Sequence, residues 1–183
     1  MLLKDYIPNI DKKYKSVFFS GISFESSKVK KDNIFFAIKG HNFDGNNYIK
    51  EATKRGAKVI ISEKKIFIKK NNLLILNVKN VRKLLSEVSY KILSKRPKKL
   101  VAVTGTNGKS SVADFYYQIL SLNSKNVASI GTVGLRYKNK KRSLSNTTLD
   151  PIQLSRILKD LKKNGINYII MEASSHGLKQ NRL

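Results

Sequence analysis

The chain has 183 residues and a formal net charge of +25, from 37 Lys and Arg against 12 Asp and Glu, and it contains no cysteine. That length allows one good core or two small domains, and the lack of cysteine excludes disulfides and thiolate metal sites. No run of about 18 apolar residues is present for a membrane span, and residues 1–11 lack the apolar stretch of a signal peptide, so a cytoplasmic protein with no membrane partner is expected.

Residues 1 to about 94 alternate short strands and helices. Ile34–Ile38 reads as a strand, and Asn46–Arg55 as a helix with Ile49 and Ala52 inward and Gly56 as its stop. Lys58–Ser62 and Leu73–Val78 read as further strands. Asn80 caps a helix whose buried face is Val81, Leu84, Leu85, Val88 and Ile92 at helical spacing. The charged run Lys95-Arg96-Pro97-Lys98-Lys99, broken by proline, marks a boundary between domains at 1–96 and 97–183.

The second region opens with a strand, Lys98–Val103, then the turn Thr104-Gly105-Thr106-Asn107-Gly108-Lys109-Ser110. A helix over Ser111–Leu122 follows, with Val112, Phe115, Tyr116, Ile119 and Leu120 on one face. A glycine-rich turn at a helix N-terminus presents unpaired N–H groups and a positive dipole to an anion. Lys109 would reach the outer phosphates of ATP and the Ser110 hydroxyl would ligate magnesium. The usual phosphate loop has a glycine five residues before the Gly-Lys pair, where this chain has Val103.

Beyond the loop helix come a strand near Val127–Ile130, a basic hairpin around Lys138-Asn139-Lys140, and a helix from Pro151 to Lys163. That helix is punctuated by Asp150 at its cap and Gly165 after its end, with Leu154, Ile157, Leu158 and Leu161 on one face. Asn167–Met171 is a further strand, ending at Glu172. This order implies an α/β protein: a small N-terminal α/β domain, then the first part of a doubly wound parallel-sheet ATPase domain with ligands at the carboxyl ends of its strands.

Magnesium calls for a carboxylate. Past residue 100 the acidic side chains are Asp114, Asp150, Asp160 and Glu172. Asp150 serves as a cap, Asp160 lies on a polar helix face and Asp114 points away from the phosphates, which leaves Glu172. A buried structural carboxylate or a cap for the next helix is the other reading of that position.

The charge invites a nucleic-acid partner, yet thirty of the basic residues are lysine and seven arginine, scattered along the chain. Arginine is the commoner choice for reading bases, and charge without a recognised module is weak support, so no nucleic-acid binding is expected.

The loop Thr-Gly-Thr-Asn-Gly-Lys-Ser resembles the ATP loop of the Mur ligases and of their relative folylpolyglutamate synthase. Met171-Glu172-Ala173-Ser174-Ser175-His176-Gly177-Leu178, followed by Gln180 and Arg182, is similar to the central-domain signature of the Mur ligases that add the third residue of the peptidoglycan stem. Residues 26–45, from Ser26 through Gly40-His41-Asn42-Phe43 to Gly45, look like that family's uridine-binding segment, and Asn146-Thr147-Thr148 like its paired-threonine substrate loop. The resemblance implies that Ser26, His41, Asn42 and Phe43 hold a uridine diphosphate. It likewise implies that Asn146, Thr147, Thr148, Ser174, Gln180 and Arg182 hold the sugar-phosphate and dipeptide side of a UDP-MurNAc-dipeptide. Gly105, Thr106, Asn107, Gly108, Lys109 and Ser110 would hold ATP, Ser110 and Glu172 magnesium, and Lys109 and Glu172 would act in catalysis.

The reaction so implied is amide ligation through an acyl phosphate, with an amino acid, diaminopimelate as the commoner choice over lysine, displacing phosphate. Glu25-Ser26-Ser27 stands where the family usually has Asp-Ser-Arg, and Asn181 where a histidine is common. MurD and MurF share the ATP loop, but Ser174–Leu178 with the Gly40-His41 loop favours the third-residue ligases. Folylpolyglutamate synthase usually has an extra glycine where this chain has Ser110. A Lys-rich nucleic-acid-binding protein with a decayed loop is the reading from another class. The family continues past Arg182 with the rest of the central sheet and an amino-acid-binding domain. The expectation is therefore a monomeric fragment, inactive in ligation by itself, with an open sheet edge and an uncovered apolar face.

Overall fold

Short runs of branched and aromatic residues make the first sheet in this computed structural model, which describes residues 1–40, 43–66, 72–93, 96–144 and 146–183. The chain divides into two compact units, Met1–Ser89 and Tyr90–Leu183. The division falls in the last turn of a helix, ahead of the proline-broken run, of which residue 95 lies outside the described residues.

In the first unit, strands β1 (Gly21–Ser23), β2 (Asn33–Phe36), β3 (Val59–Ser62) and β4 (Leu74–Asn77) pair in chain order, all parallel. Strands covered on both faces read as unbroken apolar runs, and Ile34, Phe35 and Phe36 are fully buried, as are Val59, Ile60 and Ile61. After helix α1 (Leu3–Tyr6), helix α2 (Ile49–Lys54) packs Ile49 and Ala52 into the core with Phe35 and Ile60. The sequence reads one helix from Asn46, whereas Gly45–Tyr48 is a 3-10 turn. Gly45 explains it: a Cβ there would lie 2.7 Å from the backbone N and O of Ile38, so this turn is pressed against the strand end. Helix α3 (Val81–Ile92) is capped as expected, Asn80 Oδ1 accepting from the Lys83 amide at 2.8 Å. The three-residue β1, with a glycine and a serine, carries too little alternation to be read from sequence.

The second unit has strands β5 (Lys99–Val103), β6 (Val127–Gly131), β7 (Gly134–Tyr137), β8 (Lys140–Arg142) and β9 (Tyr168–Glu172) in the order β5-β9-β6-β7-β8. β5, β9 and β6 are parallel, and the basic hairpin extends the sheet as the antiparallel pair β7 and β8. Helix α4 (Lys109–Leu122) lies against β6, β9 and β5. Helix α5 (Pro151–Lys163) packs Ile157, Leu158 and Leu161 on Ala128, Ile130, Ile169 and Met171. The chain leaves β5, crosses to β6 and returns to insert β9 between them. The carboxyl ends of all three strands therefore line one edge, where open α/β sheets bind ligands.

The apolar face read on α4 divides. Ala113 is buried and Tyr116 and Leu120 half-buried, but Val112, Phe115, Ile119 and Leu122 are exposed, Leu122 by 85%. The apolar arc of the helix is wider than the sheet beneath it, because β5 is an edge strand with Val101 also exposed. Among the described residues no helix is long and apolar enough to cross a membrane.

Candidate functional site

The turn after β5 is exposed from Thr104 to Gly108 and feeds directly into α4. Gly108 is the N-cap residue at φ +80°, with open space around its α-carbon, so backbone conformation rather than crowding requires glycine there. No side chain caps α4, which leaves its first-turn N–H groups facing the turn. Lys109 Nζ donates to the carbonyls of Gly105 at 2.7 Å and Thr106 at 3.1 Å.

Glu172 comes to the same place from β9, its residue paired with Val103 across the sheet. The side chain is only 4% exposed. Oε2 accepts from the Ser110 hydroxyl at 3.1 Å and from the Thr132 hydroxyl at 3.0 Å, while Oε1 accepts from the Thr132 amide at 3.0 Å. Among the described residues no cation pairs with this carboxylate, and no cluster of three or more His, Cys, Asp or Glu exists that could hold a metal. A metal at Glu172 would thus draw on Ser110, nucleotide and water for its remaining oxygens.

The 146–148 loop borders the carboxylate. Thr147 Oγ1 lies 3.1 Å from Thr132 Oγ1. Thr148 is buried, its hydroxyl accepting from the Ser174 amide at 2.9 Å and lying within donating distance of Ser174 Oγ at 3.0 Å and Glu172 O at 3.3 Å. Ser174 caps helix α6 (Ser175–Lys179) by accepting from the Gly177 amide. Arg182 Nη1 donates to Thr148 O and Nε to Gln180 Oε1, both at 2.9 Å, and Gln180 Nε2 sits 2.7 Å from His176 Nε2. Asn146 is exposed beside this group. The second unit therefore gathers loop, carboxylate, threonines and the 174–182 segment on one sheet edge.

In the first unit, His41 and Asn42 lie outside the described residues. Phe43 is 69% exposed, and its carbonyl accepts from the Gly40 amide at 2.7 Å. Ser26 donates to Glu51 Oε2 at 2.7 Å, and that bond, ahead of Arg55, holds the Glu51 carboxyl below its ordinary range.

Two features escaped the sequence. Thr132 has no motif of its own around it, yet it makes two bonds to Glu172. Asp44 accepts from Lys64 Nζ at 2.7 Å and from the amide and side chain of Asn46, whose Oδ1 accepts from Ser62. Lys64 first, then the Asn46 amide, lowers the Asp44 pKa from 3.8 to about 2. This network fixes Asp44, whose backbone bridges Lys39.

Comparison with known proteins agrees with the geometry. Residues 103–183 match the Mur ligase middle domain, and residues 19–91 match the Mur ligase family catalytic domain. The UDP-N-acetylmuramoyl-L-alanyl-D-glutamate–2,6-diaminopimelate ligase of Rickettsia conorii is 45% identical over 169 residues, covering 89% of this chain and 34% of that protein. The enzyme of the same name from Brucella melitensis is 40% identical over 164 residues, covering 90% and 34%. A solved structure of a ligase with that name superimposes with a TM-score of 0.85 at 30% identity, covering all of this chain and 38% of the other. MurF from Thermotoga maritima in complex with ADP gives a TM-score of 0.56 at 26% identity, over 88% of this chain and 33% of the other. The chain thus spans about a third of the length of the curated relatives it matches.

Proposed function

The chain belongs to the Mur ligase family, and from that premise we propose that it supplies the nucleotide-handling part of an ATP-dependent ligase that joins diaminopimelate to UDP-N-acetylmuramoyl-L-alanyl-D-glutamate. The observation that carries this reading is the 3.1 Å approach of Ser110 and Glu172 at the mouth of a glycine turn opening onto an uncapped helix.

Those two oxygens fit magnesium, a hard cation that prefers carboxylate and hydroxyl donors and keeps several waters. Bound there, the ion would supply positive charge to the phosphoryl oxygens. The loop amides and the α4 dipole favour the triphosphate, and Lys109 would exchange the carbonyls of Gly105 and Thr106 for the outer phosphates. In the reaction the family implies, the terminal phosphoryl passes to the D-glutamyl carboxylate with release of ADP. The amine of the amino acid then attacks the acyl carbon and phosphate departs. Ser174, Gln180 and Arg182 are the donors placed to hold the carboxylate-bearing side of the nucleotide substrate, with Thr147 beside them and Thr148 fixing their loop from beneath. In the first unit, Ser26 and Phe43, with His41 and Asn42, are the proposed uridine contacts. A monomer is proposed.

Calorimetric titration of ATP and magnesium into the chain should show binding that Lys109→Ala removes. Equal binding by that variant and the wild type would overturn the phosphate-loop reading.

A further inference from the structure

Glu172 owes its orientation to a residue outside every motif of the sequence. Thr132 lies just past the end of β6, itself exposed, and grips the buried carboxylate with both its backbone amide and its hydroxyl. A hydroxyl has one proton to give. If Thr132 Oγ1 spends it on Glu172 Oε2 at 3.0 Å, the 3.1 Å contact with Thr147 must run from Thr147 to Thr132. The result is a directed chain, Thr147 to Thr132 to Glu172, met from the other side by Ser110. Hydrogen bonds in series polarise one another, which strengthens the donation onto the carboxylate. Gly131 belongs to the same device, since any side chain there would collide with the Glu172 carboxylate.

Resting on the reading of Glu172 as a magnesium carboxylate, the geometry points to Thr132 as a positioning residue that aims Glu172 at Ser110 and ties it to the Thr147 loop. Thr132 touches neither nucleotide nor metal in this role. It holds the carboxylate against rotation away from the Ser110 hydroxyl. It also leaves Thr147 facing the substrate side as a hydrogen-bond acceptor, its proton being committed inward.

The test is ATP affinity of the whole chain, measured by calorimetry with magnesium and again with EDTA. The wild type should bind ATP more tightly with magnesium. Thr132→Val keeps the amide bond and nearly the same volume but loses the hydroxyl. It should retain the EDTA affinity and lose about tenfold of the magnesium gain, the scale of one hydrogen bond to a charged group. Thr132→Ser should restore the gain, and Thr132→Val should add nothing further in a Glu172→Gln background. A folded Thr132→Val variant with the full magnesium gain, or a serine variant that behaves like valine, overturns the role of Thr132 alone. A wild type that binds ATP with no preference for magnesium overturns the metal reading of Glu172 and this inference together.

Discussion

Gly131 and Glu172 compete for the same space: a Cβ on Gly131 would sit 2.5 Å from Glu172 Cδ and 2.6 Å from Cγ. The glycine lies in an extended strand, so the requirement is close approach rather than an unusual backbone. Gly131→Ala should therefore push the carboxylate out of its bonds to Ser110 and Thr132. Overpacking of this kind costs about 1–3 kcal/mol, and the variant should also lose the magnesium-dependent part of ATP binding. Denaturant unfolding and calorimetry check the two effects separately. Unchanged magnesium dependence would mean that Glu172 has room to hold its place.

The Asp44 network makes a prediction about acid. A carboxyl whose pKa is lowered by folding contributes stability above its unfolded value, and that contribution disappears as pH falls through the folded value. For Asp44 the window runs from about 3.8 down to about 2. Asp44→Asn should lose about 1 kcal/mol near pH 6, where Lys64 faces a charge, lose less as the pH falls to about 2, and match the wild type only below that value. Urea titrations of the two proteins at several pH values give the comparison, and a constant difference from pH 6 to pH 2 would reject it.

Most of the second unit was legible in sequence because its punctuation is local. Asp150, Pro151 and Gly165 bracket α5 to the residue, and the glycine turn marks the end of β5. The pairing of Glu172 with Ser110 followed from scarcity of acidic residues, and they stand 3.1 Å apart. What stayed hidden depends on distant packing. Thr132 has meaning only once β9 inserts between β5 and β6 and brings Glu172 beside it. The insertion of Thr148 beneath the 174–182 segment is equally long-range: Gly177 has no side chain because the Thr148 methyl fills that position. Neither fact has a spacing that period or motif could report.

Exposure separates two kinds of apolar residue in the second unit. Phe115 is 62% exposed and Ile130 2%. Phe115→Ser should change unfolding free energy by no more than about 0.5 kcal/mol, as for surface positions, whereas Ile130→Ala should cost about 2–5 kcal/mol through lost burial and a cavity. Denaturant melts of both variants decide it. A large loss from Phe115→Ser would show that the exposed face of α4 is covered in solution.

A polypeptide of residues 1–183 alone is expected to bind nucleotide without completing ligation. It spans about a third of its relatives' length, and the donors gathered at the sheet edge are suited to phosphate and carboxylate oxygens. Amide formation also needs an amine held at attacking distance from the acyl carbon. Such positioning can lower a barrier by roughly 7–11 kcal/mol, so its loss reduces turnover below any practical assay. Binding asks for much less, because the glycine turn, the α4 N-terminus and the Ser110–Glu172 pair come from one stretch of sheet edge. With ATP, magnesium, the UDP-muramoyl dipeptide and diaminopimelate, the purified polypeptide should give no tripeptide nucleotide above background while still binding ATP by calorimetry. Clear product would place the amine-holding groups within these 183 residues.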